Sequence, residues 1–144
     1  MRFIVTRLVV LLLGMATTLV YAAEPINERR ALFNYQILCQ GCHVGDGRGG
    51  KGVPNMKGLV GQFLKISKGR EYLVRVPGSA NSALNSRELA ELLNWMIPFF
   101  GKDSAPKEFK PYTEQEVQIL RENPLMEVVE YRAKLMKEIL LLEP

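Results

Sequence analysis

Apolar residues recur at helical spacing in several parts of the chain. The first such stretch runs from about residue 28 to residue 38, behind Asn27, whose side chain suits an N-cap. A second follows Ser86, which is the predicted N-cap; it ends near Pro98 and has an apolar face made of Leu89, Leu92, Leu93 and Met96. The pattern therefore predicts a mostly helical protein.

The tail that follows a proline-containing loop over residues 101–111 predicts two more helices. Thr113 to Glu116 has the spacing of a capping box, and a second helix follows Pro124. The apolar face of this second helix is too broad to lie bare in water; it contains Leu125, Val128, Val129, Leu135, Met136, Ile139 and Leu140. We expect the tail to pack on the rest of the chain, and the alternative is docking on a partner subunit.

The first residues are typical of an export signal. Arg2 and Arg7 precede a short apolar run, and cleavage after Ala22 would leave small residues at the recognised positions. The pattern predicts a signal peptide over residues 1–22 and a periplasmic or secreted mature chain. The alternative is an uncleaved segment that anchors the protein in the inner membrane by residues 8–23.

Charge is unevenly distributed along the chain, whose formal net charge is +4. Seven bases face two acids between residues 44 and 77, whereas nine acids face six bases between residues 103 and 144. A basic middle and an acidic tail predict either docking on a charged partner or closure of the tail on its own domain. A solvated mixed surface is the plain alternative. No basic stripe with interleaved aromatics points to nucleic acid.

Two cysteines and one histidine, the only ones in the chain, lie together in Cys39-Gln40-Gly41-Cys42-His43. This spacing is typical of covalent haem attachment, in which both thiols bond the haem vinyl groups and His43 ligates iron. A zinc site needs about four ligands, whereas the chain offers three cysteine and histidine side chains. A thioredoxin-like redox pair is expected within a βαβ pattern, which does not surround this motif. A plain local disulfide is a further alternative. The motif therefore predicts one haem c per chain.

Residues 28 to 100 resemble a class I cytochrome c domain. The likeness rests on the attachment motif, on the segment from Val53 to Gly61, and on the helix from Glu88 to Met96. The resemblance implies an all-α, cytochrome c-like helical domain around one covalent haem, over residues 23–102. Residues 103–144 would then be a linker and an extra C-terminal helical extension.

The resemblance also implies two roles beside the attachment motif. Pro54 stands where the family has a proline whose backbone carbonyl accepts a proton from the iron-ligating histidine, which orients its ring. Trp95 stands where the family has an aromatic residue in the final helix, and we expect it to pack on one face of the haem.

The chain departs from the family at the second axial ligand of the iron. Family members present a methionine before the final helix, but residues 64 to 95 contain none, and the expected place reads Arg75-Val76-Pro77-Gly78-Ser79-Ala80-Asn81-Ser82. Met56 and Met96 are weak candidates, because core packing explains both. We therefore expect no ordinary His/Met pair and leave the distal ligand unassigned.

The function that these features predict is one-electron transfer between redox proteins such as a dehydrogenase, an oxidase or a reductase. No side chain is required as a nucleophile or base, so the chain is not expected to be an enzyme by itself. An open sixth position on iron would instead bind or process nitric oxide, carbon monoxide or peroxide. A third interpretation is an assembly subunit in which the tail is the working part. Membrane contact is expected only if the signal segment is uncleaved.

Overall fold

The computed structural model describes residues 25–142, and the all-α prediction is confirmed over that range. Two 3-10 helices, Val60–Lys65 and Lys102–Ser104, accompany the α-helices. The α-helices are α1 (Glu28–Leu38), α2 (Gln40–His43), α3 (Ser67–Arg75), α4 (Pro77–Ala80), α5 (Ser86–Gly101), α6 (Glu114–Arg121) and α7 (Val128–Leu140). The predicted signal peptide over 1–22 and the alternative anchor over 8–23 fall outside the described residues. Among the helices within 25–142, none has both the length and the apolar character needed to span a membrane.

Helix α1 begins as predicted, whereas α5 begins and ends differently. The Asn27 side chain accepts a hydrogen bond from the backbone amide of Arg30, at 3.1 Å. The N-cap of α5 is Asn85 instead of Ser86. The Asn85 side chain accepts a hydrogen bond from the Glu88 amide at 2.9 Å, and the Glu88 carboxylate accepts one from the Asn85 amide at 3.0 Å. The helix also continues past Pro98 to Gly101, although proline removes one amide donor.

Helices α1 and α5 cross in a contact that combines an ion pair with aromatic packing. Arg30 Nε lies 2.6 Å from a Glu91 carboxylate oxygen, and the Tyr35 ring centroid lies 4.8 Å from that of Phe100. Ala31 and Tyr35 are almost fully buried. This contact fixes the carboxyl end of α1, where the attachment motif starts.

The tail packs on the helical domain, so the expectation of intramolecular packing is confirmed. Helix α6 lies against α5 and α3, while α7 lies against α3 and the 3-10 helix Val60–Lys65. Val117, Leu135 and Ile139 are at most 2% exposed, which is the burial of core residues. The tail therefore extends the core of the domain.

Polar contacts reinforce this packing. Arg70 Nε donates to the Glu116 carboxylate at 2.6 Å, and its other nitrogens donate to the carbonyls of Lys110 and Pro111. Asn94 and the backbone of Tyr112 exchange two hydrogen bonds, at 2.9 and 2.7 Å. The predicted cap also forms, because Thr113 Oγ1 accepts the amide of Glu116 at 3.2 Å. The Glu116 carboxylate thereby joins the tail to α3.

Candidate functional site

A cavity of about 290 Å³ lies beside the attachment motif. Cys39, Cys42, His43 and Pro54 all contribute to its wall. The remaining wall is largely apolar and includes Leu38, Met56, Val60, Phe63, Leu73, Val76, Leu89, Leu92, Leu93 and Met96. The structure therefore brings four of the predicted site residues to one apolar cavity.

A single helical turn presents the two thiols and the imidazole together. The Cys39 amide still donates to Tyr35 in α1, while the amides of Cys42 and His43 both donate to the Cys39 carbonyl, at 3.1 and 2.9 Å. Both thiols are free, with Cys39 partly buried and Cys42 exposed. Burial raises the pKa of the Cys39 thiol, and the neighbouring Cys42 raises it further. Both sulfurs are thus available for thioether bonds.

His43 has the environment of a neutral imidazole. Its Nδ1 atom is buried and makes no hydrogen bond of good geometry. Burial lowers the pKa of His43, and the nearby Pro54 carbonyl partly opposes this by favouring the protonated ring. A neutral imidazole is the form that ligates metals, so the ring is suited to hold iron. Pro54 and His43 line the same cavity, and the orienting hydrogen bond between them stays a prediction.

The glycine-rich loop after His43 folds closely against Pro54. Gly49 has a φ of +70°, and a Cβ atom there would lie 2.4 Å from the Val53 carbonyl oxygen and 2.7 Å from that of Pro54. Its amide donates to the His43 carbonyl at 3.1 Å. Glycine is therefore required at this position for the loop to hold His43 and Pro54 in the same wall.

Both methionine candidates reach the wall of the cavity. Met56 follows Pro54 and is 8% exposed, whereas Met96 lies on the cavity side of α5. The stretch that the family resemblance marks for the ligand also lines the cavity, through Val76, Pro77, Gly78, Ser79 and Ser82. That stretch offers hydroxyl and apolar groups, so the identity of the distal ligand remains a prediction.

Trp95 is not brought into this wall. Its ring stacks on Phe99 with centroids 4.6 Å apart, and its centroid lies 6.1 Å from that of Tyr35. The reason is its position on α5, because Trp95 falls on the side that faces α1 while Leu92 and Met96 face the cavity. Trp95 therefore supports the helix crossing, and its packing on a haem face stays a prediction.

The cavity wall contains a cation that no sequence pattern predicted. Arg132 of α7 lines the cavity, and its guanidinium carbon lies 5.7 Å from the centroid of the Phe63 ring. Its place depends on how the tail docks, so no local sequence signal marks it. A guanidinium suits carboxylates, and haem carries two of them.

The donor set fits a covalently attached haem. Free thiols and a neutral imidazole border an apolar slot, and a guanidinium at its wall matches the charge of the haem propionates. Within residues 25–142, no three side chains of histidine, cysteine, aspartate or glutamate gather as they would around a bound metal ion.

Comparison with known proteins gives two relatives of the same name. Cytochrome c-552 of Thermus thermophilus is 33% identical over 118 residues, which cover 67% of this chain and 90% of the relative. Cytochrome c-552 from a further strain of Thermus thermophilus is also 33% identical over 118 residues, which cover 80% of that protein. No protein-family model matches the chain, and no solved structure matches it significantly.

Proposed function

The chain belongs to the c-type cytochromes, and from that premise we propose that it is an exported, monohaem, class I cytochrome that carries single electrons between redox proteins. The observation that carries this proposal is the cavity whose wall contains Cys39, Cys42 and His43. Haem bound there supplies an iron centre that gains and loses one electron.

Each site residue has a distinct role in this proposal. Cys39 and Cys42 hold the haem through thioether bonds, and His43 ligates its iron. The Pro54 carbonyl faces the His43 ring, which fixes ring orientation and makes the ligand more basic. The apolar wall excludes water, and a drier surrounding tunes the reduction potential.

We assign the chain no catalytic role of its own. His43, the only histidine of the sequence, is committed to iron, so no imidazole is left to act as an acid or base on a substrate. The proposed partners are a dehydrogenase, an oxidase or a reductase in the periplasm or outside the cell.

The basic residues beside the attachment motif are the proposed contact for an acidic partner. Arg70 and Arg75 are bound to the tail, and Arg48 and Lys57 share Asp46 at 2.7 and 3.4 Å. Lys51 is exposed on the same loop. We therefore place the docking charge mainly near the loop of residues 44–57, with Lys65 and Lys68 also exposed further along the basic stretch.

The proposal is tested on the purified mature protein. Haem should remain bound through acid–organic extraction of the denatured chain and give a pyridine haemochrome spectrum of two thioether bonds. Cys39→Ala should shift that spectrum toward one bond, and His43→Ala should prevent normal maturation. Haem that extracts freely from the wild type would contradict covalent attachment.

A haem with an open sixth position is the second candidate function. It is favoured by the wall segment of residues 76–82, in which no methionine occurs. The oxidised absorption band near 695 nm, which the family resemblance ties to methionine ligation, separates the two functions. Its absence together with rapid carbon monoxide binding favours the second, whereas its presence and loss in Met56→Ala or Met96→Ala would identify the ligand.

A further inference from the structure

Arg121, the last residue of α6, binds three backbone carbonyls of one short segment. Its Nε and Nη2 atoms donate to the Ala80 carbonyl at 3.1 and 2.9 Å. Nη2 also donates to Ser82 at 2.9 Å, and Nη1 donates to Leu84 at 2.7 Å. One side chain from the tail thus binds carbonyls along the whole turn between α4 and α5.

These carbonyls need an outside donor. Ala80 ends α4, so its carbonyl has no amide partner further along that helix. Ser82 and Leu84 belong to the turn that leads to the cap at Asn85. A guanidinium presents five N–H donors in a rigid plane, which allows it to satisfy several carbonyls at once.

The turn that Arg121 binds is continuous with a wall of the cavity. The cavity wall just before Ala80 is made of Val76, Pro77, Gly78 and Ser79. Ser82 also lines the cavity. Pro77 and Gly78 are exposed on their other side. The wall over residues 76–82 is therefore exposed at Pro77 and Gly78, although Ala80 is buried and α4 contacts α3 and α6. Arg121 holds the carboxyl end of this wall.

We propose that Arg121 is a positioning residue that holds this wall closed and so limits the access of small neutral molecules, such as carbon monoxide or nitric oxide, to the iron site. The inference rests on the proposed haem function for its ligand, but the closure itself is a property of the chain. Loss of the guanidinium frees three carbonyls, and the wall opens more often.

A matched control exists at another contact of the tail. Arg70 also makes several guanidinium bonds between the tail and the core, to Glu116, Lys110 and Pro111, but none to residues 80–84. Arg70→Gln therefore loosens the tail without releasing the wall. If Arg121 acted only by fastening the tail, the two variants would behave alike.

Hydrogen exchange measures the closure directly. The amides of Ala80, Asn81 and Ser82 are bonded to carbonyls within the wall. In Arg121→Gln, exchange in a peptide covering residues 76–84 should accelerate by about tenfold or more, the factor expected for the loss of a charged donor. Arg70→Gln should leave this peptide within about twofold of the wild type and accelerate exchange near residues 112–118.

Carbon monoxide binding to the reduced protein measures the consequence. The association rate should rise in Arg121→Gln by a factor similar to that for exchange, and stay near the wild-type rate in Arg70→Gln. Arg121→Lys keeps the charge but lacks the planar fork, so both readouts should fall between those of the wild type and the glutamine variant. This lysine variant also serves if the glutamine variant does not fold.

Three outcomes would overturn the inference: equal effects in the two arginine variants, unchanged exchange at residues 76–84 in both Arg121 variants, or faster exchange with an unchanged carbon monoxide rate. Failure of the haem assignment is recognised separately, since a wild type without covalent haem contradicts the proposed function while hydrogen exchange still reports the closure.

Discussion

At the scale of single residues, the site depends on backbone geometry as much as on the reactive side chains. Gly49 adopts a φ of +70° and lies against the carbonyls of Val53 and Pro54. Gly52 also has a positive φ, of +89°, but nothing lies within 4 Å of the place where its Cβ would be. The two glycines thus separate the cost of the dihedral angle from the cost of the close approach.

We expect Gly49→Ala to reduce stability far more than Gly52→Ala. The control substitution adds only the strain of a left-handed residue, about 1–2 kcal/mol. Alanine at position 49 adds this strain and also displaces Pro54, which faces the His43 ring. Denaturant unfolding of both variants, with the haem content of each preparation, measures the difference. Equal losses of stability would show that the approach to Pro54 is unimportant.

Residue patterns predicted the attachment motif and its neighbours better than they predicted the rest of the wall. The spacing of Cys39, Cys42 and His43 is local, so one helical turn is enough to bring them together. Arg121 contacts carbonyls 37 to 41 residues away, and such acceptors are present in every residue. Contacts of that kind leave no signature in sequence.

At the scale of elements, helix periodicity predicted α1, α5, α6 and α7, but it did not predict α3 or α4. Competing caps decided where α5 begins. The N-cap of α5 is one residue before the predicted cap because the side chains of Asn85 and Glu88 satisfy two terminal amides. Trp95 lies on the α1 side of that helix, which its spacing alone did not reveal. The tail helices formed where their pattern predicted, but Val129 and Leu140 of the predicted apolar face are 82% and 60% exposed.

The contact between α3 and α6 should weaken in acid. The Arg70 hydrogen bond holds the pKa of Glu116 below its usual value, with burial acting in the opposite direction. The unfolded chain therefore binds a proton at higher pH than the folded chain does. This stabilisation is complete above the ordinary glutamate pKa and is lost as pH falls through the lowered folded value.

Urea unfolding between about pH 6 and pH 3 tests this contact, since that range spans the ordinary carboxylate pKa. Stability of the wild type should fall with pH, and Glu116→Gln should be less stable near neutrality and less sensitive to acid. Glu114→Gln, on the exposed side of the same helix, is the control. An acid dependence identical in wild type and Glu116→Gln would contradict the assignment.

At the scale of the whole molecule, the tail binds two of the cations in the basic middle of the chain. Arg70 is bound by Glu116, and Arg75 Nε donates to the Asn123 carbonyl at 2.8 Å. The proposed docking charge therefore resides mainly near the attachment loop, at Arg48, Lys51 and Lys57. Sequence charge counts indicated the sign of each region, but pairing within the chain had to be seen in three dimensions.

Electron exchange at this loop should depend on salt with a definite sign. Oxidation by the anionic probe ferricyanide should slow as ionic strength rises toward 0.1 M, where the Debye length is about 10 Å, while the cationic probe hexaammineruthenium should show the opposite trend. Lys51→Gln should flatten the ferricyanide dependence, and Lys134→Gln in the tail should not. Equal salt slopes for the two probes would place the reacting edge away from the basic loop.

The hydrogen bonds from Arg121 to backbone carbonyls also affect which residues can change over evolutionary time. A carbonyl persists whatever side chain a residue carries, so Ala80 and Ser82 are free to drift without losing their acceptors. The donor has no such freedom, because the fork belongs to arginine alone. We therefore expect more sequence variation in the turn on the core than at the arginine on the tail.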